Sequence, residues 1–150
     1  MLKLRAPLSH EMPLLTDLCL RSKAVWGYSD AFMQACRAEL TLTAEDLETS
    51  RLQVAEQAGR VIGVAQVSAS DGVAHLEKLF VEPEMMRSGA GRALLAWAKD
   101  VARALGATKM VIEADPDAAA FYRRMGAVDD GVAPSGSIPG RFLPRLNLTL

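Results

Sequence analysis

Val81-Glu82-Pro83-Glu84-Met85-Met86-Arg87-Ser88-Gly89-Ala90-Gly91-Arg92 joins two segments of different hydrophobic period. Before it, Val73 to Val81 reads as a strand. After it, Leu94, Trp97, Ala98, Val101, Ala102 and Leu105 recur at steps of three and four residues, with Lys99, Asp100 and Arg103 on the other face. That is the pattern of an amphipathic helix. Gly106 stands where a C-cap glycine belongs, and Lys109 to Glu113 then reads as a second strand. Such a unit returns its second strand parallel to the first through a right-handed crossover. The quoted stretch therefore opens the helix. At Gly89 and Gly91 the missing side chains let backbone amides approach an anion, the helix dipole favours negative charge, and Arg87 and Arg92 add two cations. The same residues also read as a plain glycine turn before a structural helix.

Upstream, Arg51 to Glu56, Val61 to Ser68 and Val73 to Val81 are strand-like runs divided by Ala58-Gly59-Arg60 and Ser70-Asp71-Gly72. Turns that short make an antiparallel meander. Leu2 to Ala6 is a further strand candidate, and His10 to Leu20 and Asp30 to Leu40 read as helices joined by the aromatic segment Val25-Trp26-Gly27-Tyr28. Thr43-Ala44-Glu45-Asp46 fits a short helix start with Thr43 as N-cap. Downstream, Ala118 to Met125 is a short helix stopped by Gly126, and Arg141 to Leu150 is a strand with Leu143, Leu146, Leu148 and Leu150 to bury.

Half of the 150 residues are apolar, enough for one core, so a single domain spanning residues 1–150 is expected. The net charge of −1 with scattered basic residues argues against a general nucleic-acid binder. No apolar run is long enough to cross a bilayer, and the first residues read as neither a signal nor a transit peptide. Cys19 and Cys36 match no metal clip or disulfide framework and are expected as reduced thiols in a cytoplasmic protein. His10 and His75 are the only histidines, which leaves no metal-site spacing, so no metal is expected.

Strand, Val81-Glu82-Pro83-Glu84, glycine turn, long helix, strand and Phe121-Tyr122-Arg123-Arg124-Met125-Gly126, taken in order, resemble the GCN5-related N-acetyltransferase (GNAT) family from Leu52 to Ala127. The family's phosphate-binding motif falls on Met86, Gly89 and Gly91, with Met86 where the family has Arg or Gln and Arg87 one residue later. An Asn commonly found three residues before a helical Ala is Asp115 here, followed by Ala118 and the Phe121-Tyr122 pair.

The resemblance implies acetyl-CoA as cosubstrate. Arg87, Ser88, Gly89, Ala90, Gly91 and Arg92 would then hold its pyrophosphate. Leu79, Phe80 and Val81 would offer backbone contacts to the pantetheine arm, and Asp115, Ala118, Phe121 and Tyr122 would complete the site. Tyr122 occupies the position of the family's tyrosine general acid; a structural tyrosine is the other reading. An amine with a pKa near 10 must lose a proton to attack a thioester, so a base or a water relay is needed. Glu77 and His75 are the candidates, placed by strand alternation on one face with Leu79; both also read as cross-strand partners. The N–H of Leu79 or Phe80 is a candidate oxyanion donor. Neither cysteine is expected near the site, which favours direct transfer over an acyl-enzyme.

Family members build the acceptor pocket from the loop between the first two helices and from the C-terminal strands, which points to Trp26, Tyr28 and Arg141. The expected fold is a mixed α/β GNAT acyl-CoA N-acyltransferase fold, with a sheet of about seven strands flanked by about four helices. The expected activity is direct acetyl transfer to a primary amine of a small molecule or peptide, with no nucleic-acid or membrane partner and with a homodimer plausible. A noncatalytic acyl-CoA-binding module of the same fold is the alternative. A nucleotide site is less well supported, since the turn lacks a Walker Lys-Ser/Thr pair and the third glycine of the dinucleotide fingerprint.

Overall fold

The computed structural model describes residues 1–150, with elements in the order β1 (Leu2–Arg5), α1 (Met12–Ala24), α2 (Asp30–Leu40), α3 (Asp46–Thr49), β2 (Arg51–Gln57), β3 (Arg60–Ser70), β4 (Val73–Val81), α4 (Ala90–Ala104), β5 (Lys109–Glu113), α5 (Ala119–Arg124), β6 (Val128–Pro134) and β7 (Phe142–Thr149). The strands form one seven-stranded sheet in the order β1-β2-β3-β4-β5-β7-β6. Only β4 and β5 pair in parallel, and α4 makes the crossover that parallel neighbours need. The meander and the β4-α4-β5 unit stand as expected. Three details differ.

Pro13 lies in the first turn of α1, where its fixed φ suits a helix start, so the chain enters through a 3-10 turn at Ser9–Glu11 and α1 begins later than His10. Thr43 forms only half of the expected cap: its N–H donates to Asp46 Oδ2 at 2.8 Å, and the helix that follows is a single turn. The unforeseen strand β6 pairs with β7 at the sheet edge and buries only Ala133, so it carries no alternation to be read.

Helices cover both faces of the sheet. On one, Leu15, Leu18 and Cys19 of α1 and Cys36 and Leu40 of α2 pack on Leu52, Val54 and Val64. Both cysteines are free and buried, and burial pushes the Cys19 thiol up to about 12. On the other, Leu94, Leu95 and Ala98 of α4 pack on Ile62, Ala65, Val67 and Leu76. Gly63 permits the close seat of α4, since a Cβ there would lie 2.9 Å from Leu94 Cδ1 and 3.3 Å from the Phe80 carbonyl.

Arg5 holds the entry to α1. It donates to both Glu11 carboxylate oxygens at 2.9 and 2.8 Å and to Glu56 Oε1 at 3.1 Å. These bonds hold the Glu11 carboxyl at about 2, below its ordinary 4.5. A depressed carboxylate pKa contributes stability that is present above 4.5 and lost as pH falls towards 2. Thermal melts of Glu11→Gln should therefore lie below the parent at neutral pH, and the gap should close across that acid window. A gap that stays constant with pH would show that the ion pair contributes nothing.

Candidate active site

β4 and β5 pair only at Val73/Lys109, Ala74/Met110 and His75/Val111. Beyond His75 they part, and β4 runs on to Val81 with its β5 side open. The Glu82 N–H donates to the Ile62 carbonyl at 2.8 Å. Antiparallel alternation from that bond commits the Phe80 backbone to Val64 and turns the N–H and C=O of Leu79 and Val81 into the cleft. Of the three expected backbone contributors, two thus face the opening, and Leu79 rather than Phe80 presents a candidate oxyanion N–H. Phe80 contributes its side chain, packed towards α1 and α2.

A β-bulge interrupts β4, because its register against β3 shifts between Gln66 and Val67. The extra residue reverses the alternation. His75 and Glu77 share the α1/α2 face as expected, but Leu79 does not join them: it packs towards α4, and Lys78 takes the α1/α2 face instead. Glu77 lines the cavity and accepts from Ser68 Oγ at 2.8 Å. His75 does not line it, since it lies where β4 is still paired with β5.

At the end of β4, the buried Glu82 carboxylate accepts from Arg21 of α1 at 3.0 and 2.8 Å and from Arg60 at 3.3 Å, pinning α1 over the strand end. The glycine turn follows. Gly89 adopts φ 91°, ψ −1°, a conformation that costs glycine little, and α4 starts at Ala90. Ala90 N–H reaches Ser88 Oγ at 3.3 Å, whereas the amides of Gly89, Gly91 and Arg92 donate to no group of the chain. These are the orphan donors of a helix start, and they suit a phosphate. Arg87 and Gly91 line the cavity; Ser88, Gly89, Ala90 and Arg92 form the turn beside it. Met86 also lines it and packs against the α4 cluster, so an apolar side chain serves as an anchor there.

Opposite, Phe121 lies against Gly91, 3.6 Å from where a Cβ would stand. Tyr122 packs edge-on to Phe121 with ring centroids 5.2 Å apart. Its side chain is buried, which pushes its pKa upward, yet it lines the cavity and its hydroxyl has no partner in the chain. Ala118 donates its N–H to the Asp115 carbonyl at 2.8 Å, setting the start of α5.

The other end of the cavity, whose volume is about 720 Å³, is built by loops. Tyr28 donates to Asp115 Oδ2 at 2.6 Å and accepts from Arg141 at 2.8 Å. Lys23 Nζ lies 3.4 Å from the same carboxylate oxygen. Tyr28 stacks on Phe32 at 4.0 Å, and Arg141 lies over both rings. Burial and the bond to Asp115 push the Tyr28 hydroxyl up to about 12, so it stays a donor. The structure thus joins Tyr28, Arg141 and Asp115 in one cluster that ties three loops together, and Asp115 also lines the cavity. Trp26 lines the cavity and is 41% exposed. Cys36, expected away from the site, lines its α2 wall.

The model of the acetyltransferase (GNAT) family matches residues 18–127. The chain belongs to the GNAT acetyltransferase family. A GCN5-related N-acetyltransferase from Rhodopseudomonas palustris superposes with a TM-score of 0.82 at 22% identity, covering 99% of this chain and 95% of that one. The PaiA N-acetyltransferase of Thermoplasma acidophilum, in complex with coenzyme A, gives 0.80 at 14% identity, with coverage of 100% and 99%. A Salmonella typhimurium protein with its cofactor acetyl-CoA gives 0.71 at 22% identity, with coverage of 99% and 94%. At such identities the likeness is one of fold. The search of curated proteins found no match.

In this GNAT domain the sequence reading missed Lys23, Phe32, Lys78 and Arg124, all of which belong to the cavity wall or to the cluster beside it. Lys23, Phe32 and Arg124 sit on helices, where a cation or ring is ordinary, and Lys78 reaches its face only through the bulge. No helix is long and apolar enough to cross a membrane.

Proposed function

We propose that this protein transfers the acetyl group of acetyl-CoA to a primary amine of a small molecule or peptide by direct attack within a ternary complex. The observation that carries the proposal is the convergence, on one cavity, of the open backbone edge of Leu79 and Val81, the unpaired amides at the start of α4 and the unpartnered Tyr122 hydroxyl. A thioester on a long diphosphate carrier needs those three features.

The first amides of α4, with Arg87 beside them, hold the pyrophosphate. The backbone groups of Leu79 and Val81 bond the pantetheine arm as an added strand would, and the Leu79 N–H polarises the thioester carbonyl. Glu77 takes a proton from the acceptor ammonium, directly or through one water. The neutral nitrogen then bonds to the carbonyl carbon, and the tetrahedral intermediate releases its second N–H proton to solvent as the amide forms. As the carbon–sulfur bond breaks, the Tyr122 hydroxyl gives its proton to sulfur and later regains one from solvent. Burial suits that role by keeping the phenol protonated until the thiolate forms. The solved neighbours that hold coenzyme A and acetyl-CoA support the choice of donor.

Tyr122→Phe should lower kcat by about tenfold or more with little change in acetyl-CoA affinity, read by thiol release and by calorimetry. Unchanged turnover would assign Tyr122 to packing. Absence of turnover in the parent with every amine tried, alongside intact acetyl-CoA binding, would favour a noncatalytic acyl-CoA-binding module.

A further inference from the structure

The β4 bulge places Glu77 and Lys78, adjacent in sequence, on the same face of the sheet, where regular alternation would have separated them. Both line the cavity. They do not pair with each other, because β3 holds each from its own side. Ser68 Oγ donates to Glu77 at 2.8 Å, and Lys78 Nζ donates to Gln66 Oε1 at 3.0 Å. Gln66 is a built support: it is 4% exposed, and its Nε2 donates to Asp46 Oδ1 at 3.1 Å and Ser50 Oγ at 2.9 Å, which leaves its carbonyl oxygen aimed at the lysine. Lys78 is half-buried with no carboxylate within ion-pair distance. An ammonium has three donors, so two remain for a ligand. The cavity's other acceptor-end cations differ, since Lys23 and Arg141 already share Asp115.

A half-buried ammonium held by one neutral acceptor keeps donors free, and a carboxylate is the partner that bonds them most strongly. Here that unfilled cation stands beside the carboxylate proposed to deprotonate the acceptor. The geometry points to an acceptor that carries its ammonium and a carboxylate on one carbon: a free α-amino acid, with its amine at Glu77 and its carboxylate at Lys78. Cys36 and Leu40 of α2 supply an apolar wall, which favours an apolar side chain. This inference rests on the acetyltransferase reading above and narrows it to a substrate class. A peptide amino terminus lacks the adjacent carboxylate and does not meet both groups.

The test compares leucine and phenylalanine with their decarboxylated counterparts, isoamylamine and phenethylamine, in the parent, Lys78→Met and Lys78→Arg, with acetyl-CoA as donor. The expected result is a preference for the amino acids of about tenfold or more in kcat/KM, carried mostly by KM. Lys78→Met should abolish that preference and Lys78→Arg should restore part of it. Equal use of amine and amino acid by the parent would overturn the inference, as would an equal loss for both classes in Lys78→Met, the signature of a merely structural lysine. Failure to acetylate either amino acid while the two amines are acetylated would overturn the inference alone; failure to bind acetyl-CoA, or to acetylate any of the four, would overturn the acetyltransferase reading with it.

Discussion

Gly91→Asp is expected to weaken acetyl-CoA binding by about a hundredfold or more without destabilising the fold. The Cβ would point at Phe121 Cζ from 3.6 Å and at Val81 Cγ2 from 3.8 Å, both ordinary contacts, so the side chain fits but enters the cleft beside the phosphate-binding amides. There its charge occupies the field meant for the pyrophosphate and takes up the same donors. For the helix itself the change is favourable: an acidic residue near the N-terminus complements the dipole, and glycine is a poor helix former. Calorimetry and thermal melts should therefore move in different directions, affinity collapsing while the melting temperature holds or rises. Undiminished affinity would remove the α4 amides from the site.

Gly63→Val should cost about 3 kcal/mol, the upper end of what overpacking a filled core costs. Even a Cβ would crowd Leu94 Cδ1 at 2.9 Å and the Phe80 carbonyl at 3.3 Å, and Leu94 is fully buried, so it has no free volume to move into. Urea denaturation gives the loss directly. Adding Leu94→Ala should recover part of it, because the two changes share one space and cannot be additive. An additive pair would place the strain elsewhere. The position also links core to site, since the residue that lets α4 sit close on β3 touches the strand whose far edge lines the cleft.

Local patterns carried most of the architecture. The period of Leu94 to Leu105, closed by Gly106, announced α4, and the short turns at Ala58-Gly59-Arg60 and Ser70-Asp71-Gly72 announced the meander. The glycine turn was legible because it opens a well-marked helix, and Tyr122 because it lies in the short helix that Gly126 stops. What escaped depends on register or on distant contact. The bulge between Gln66 and Val67 leaves no mark in either strand alone, yet it sends Leu79 to the α4 side and Lys78 to the acceptor side. Asp115 matched a family position by spacing, but its partners Tyr28, Lys23 and Arg141 come from other elements, so its bonding could not be read along the chain. His75 shares a face with Glu77 and still misses the cavity, because the strands part only after it.

Calorimetric titration of acetyl-CoA into the purified protein, with ATP and NAD as controls, tests most directly whether the cleft between β4 and β5 is a site for that donor. Stoichiometric binding of acetyl-CoA in the micromolar range, with neither control binding comparably, is the predicted result. A folded sample that binds no acetyl-CoA would contradict it, and with it the roles given to Glu77 and Tyr122.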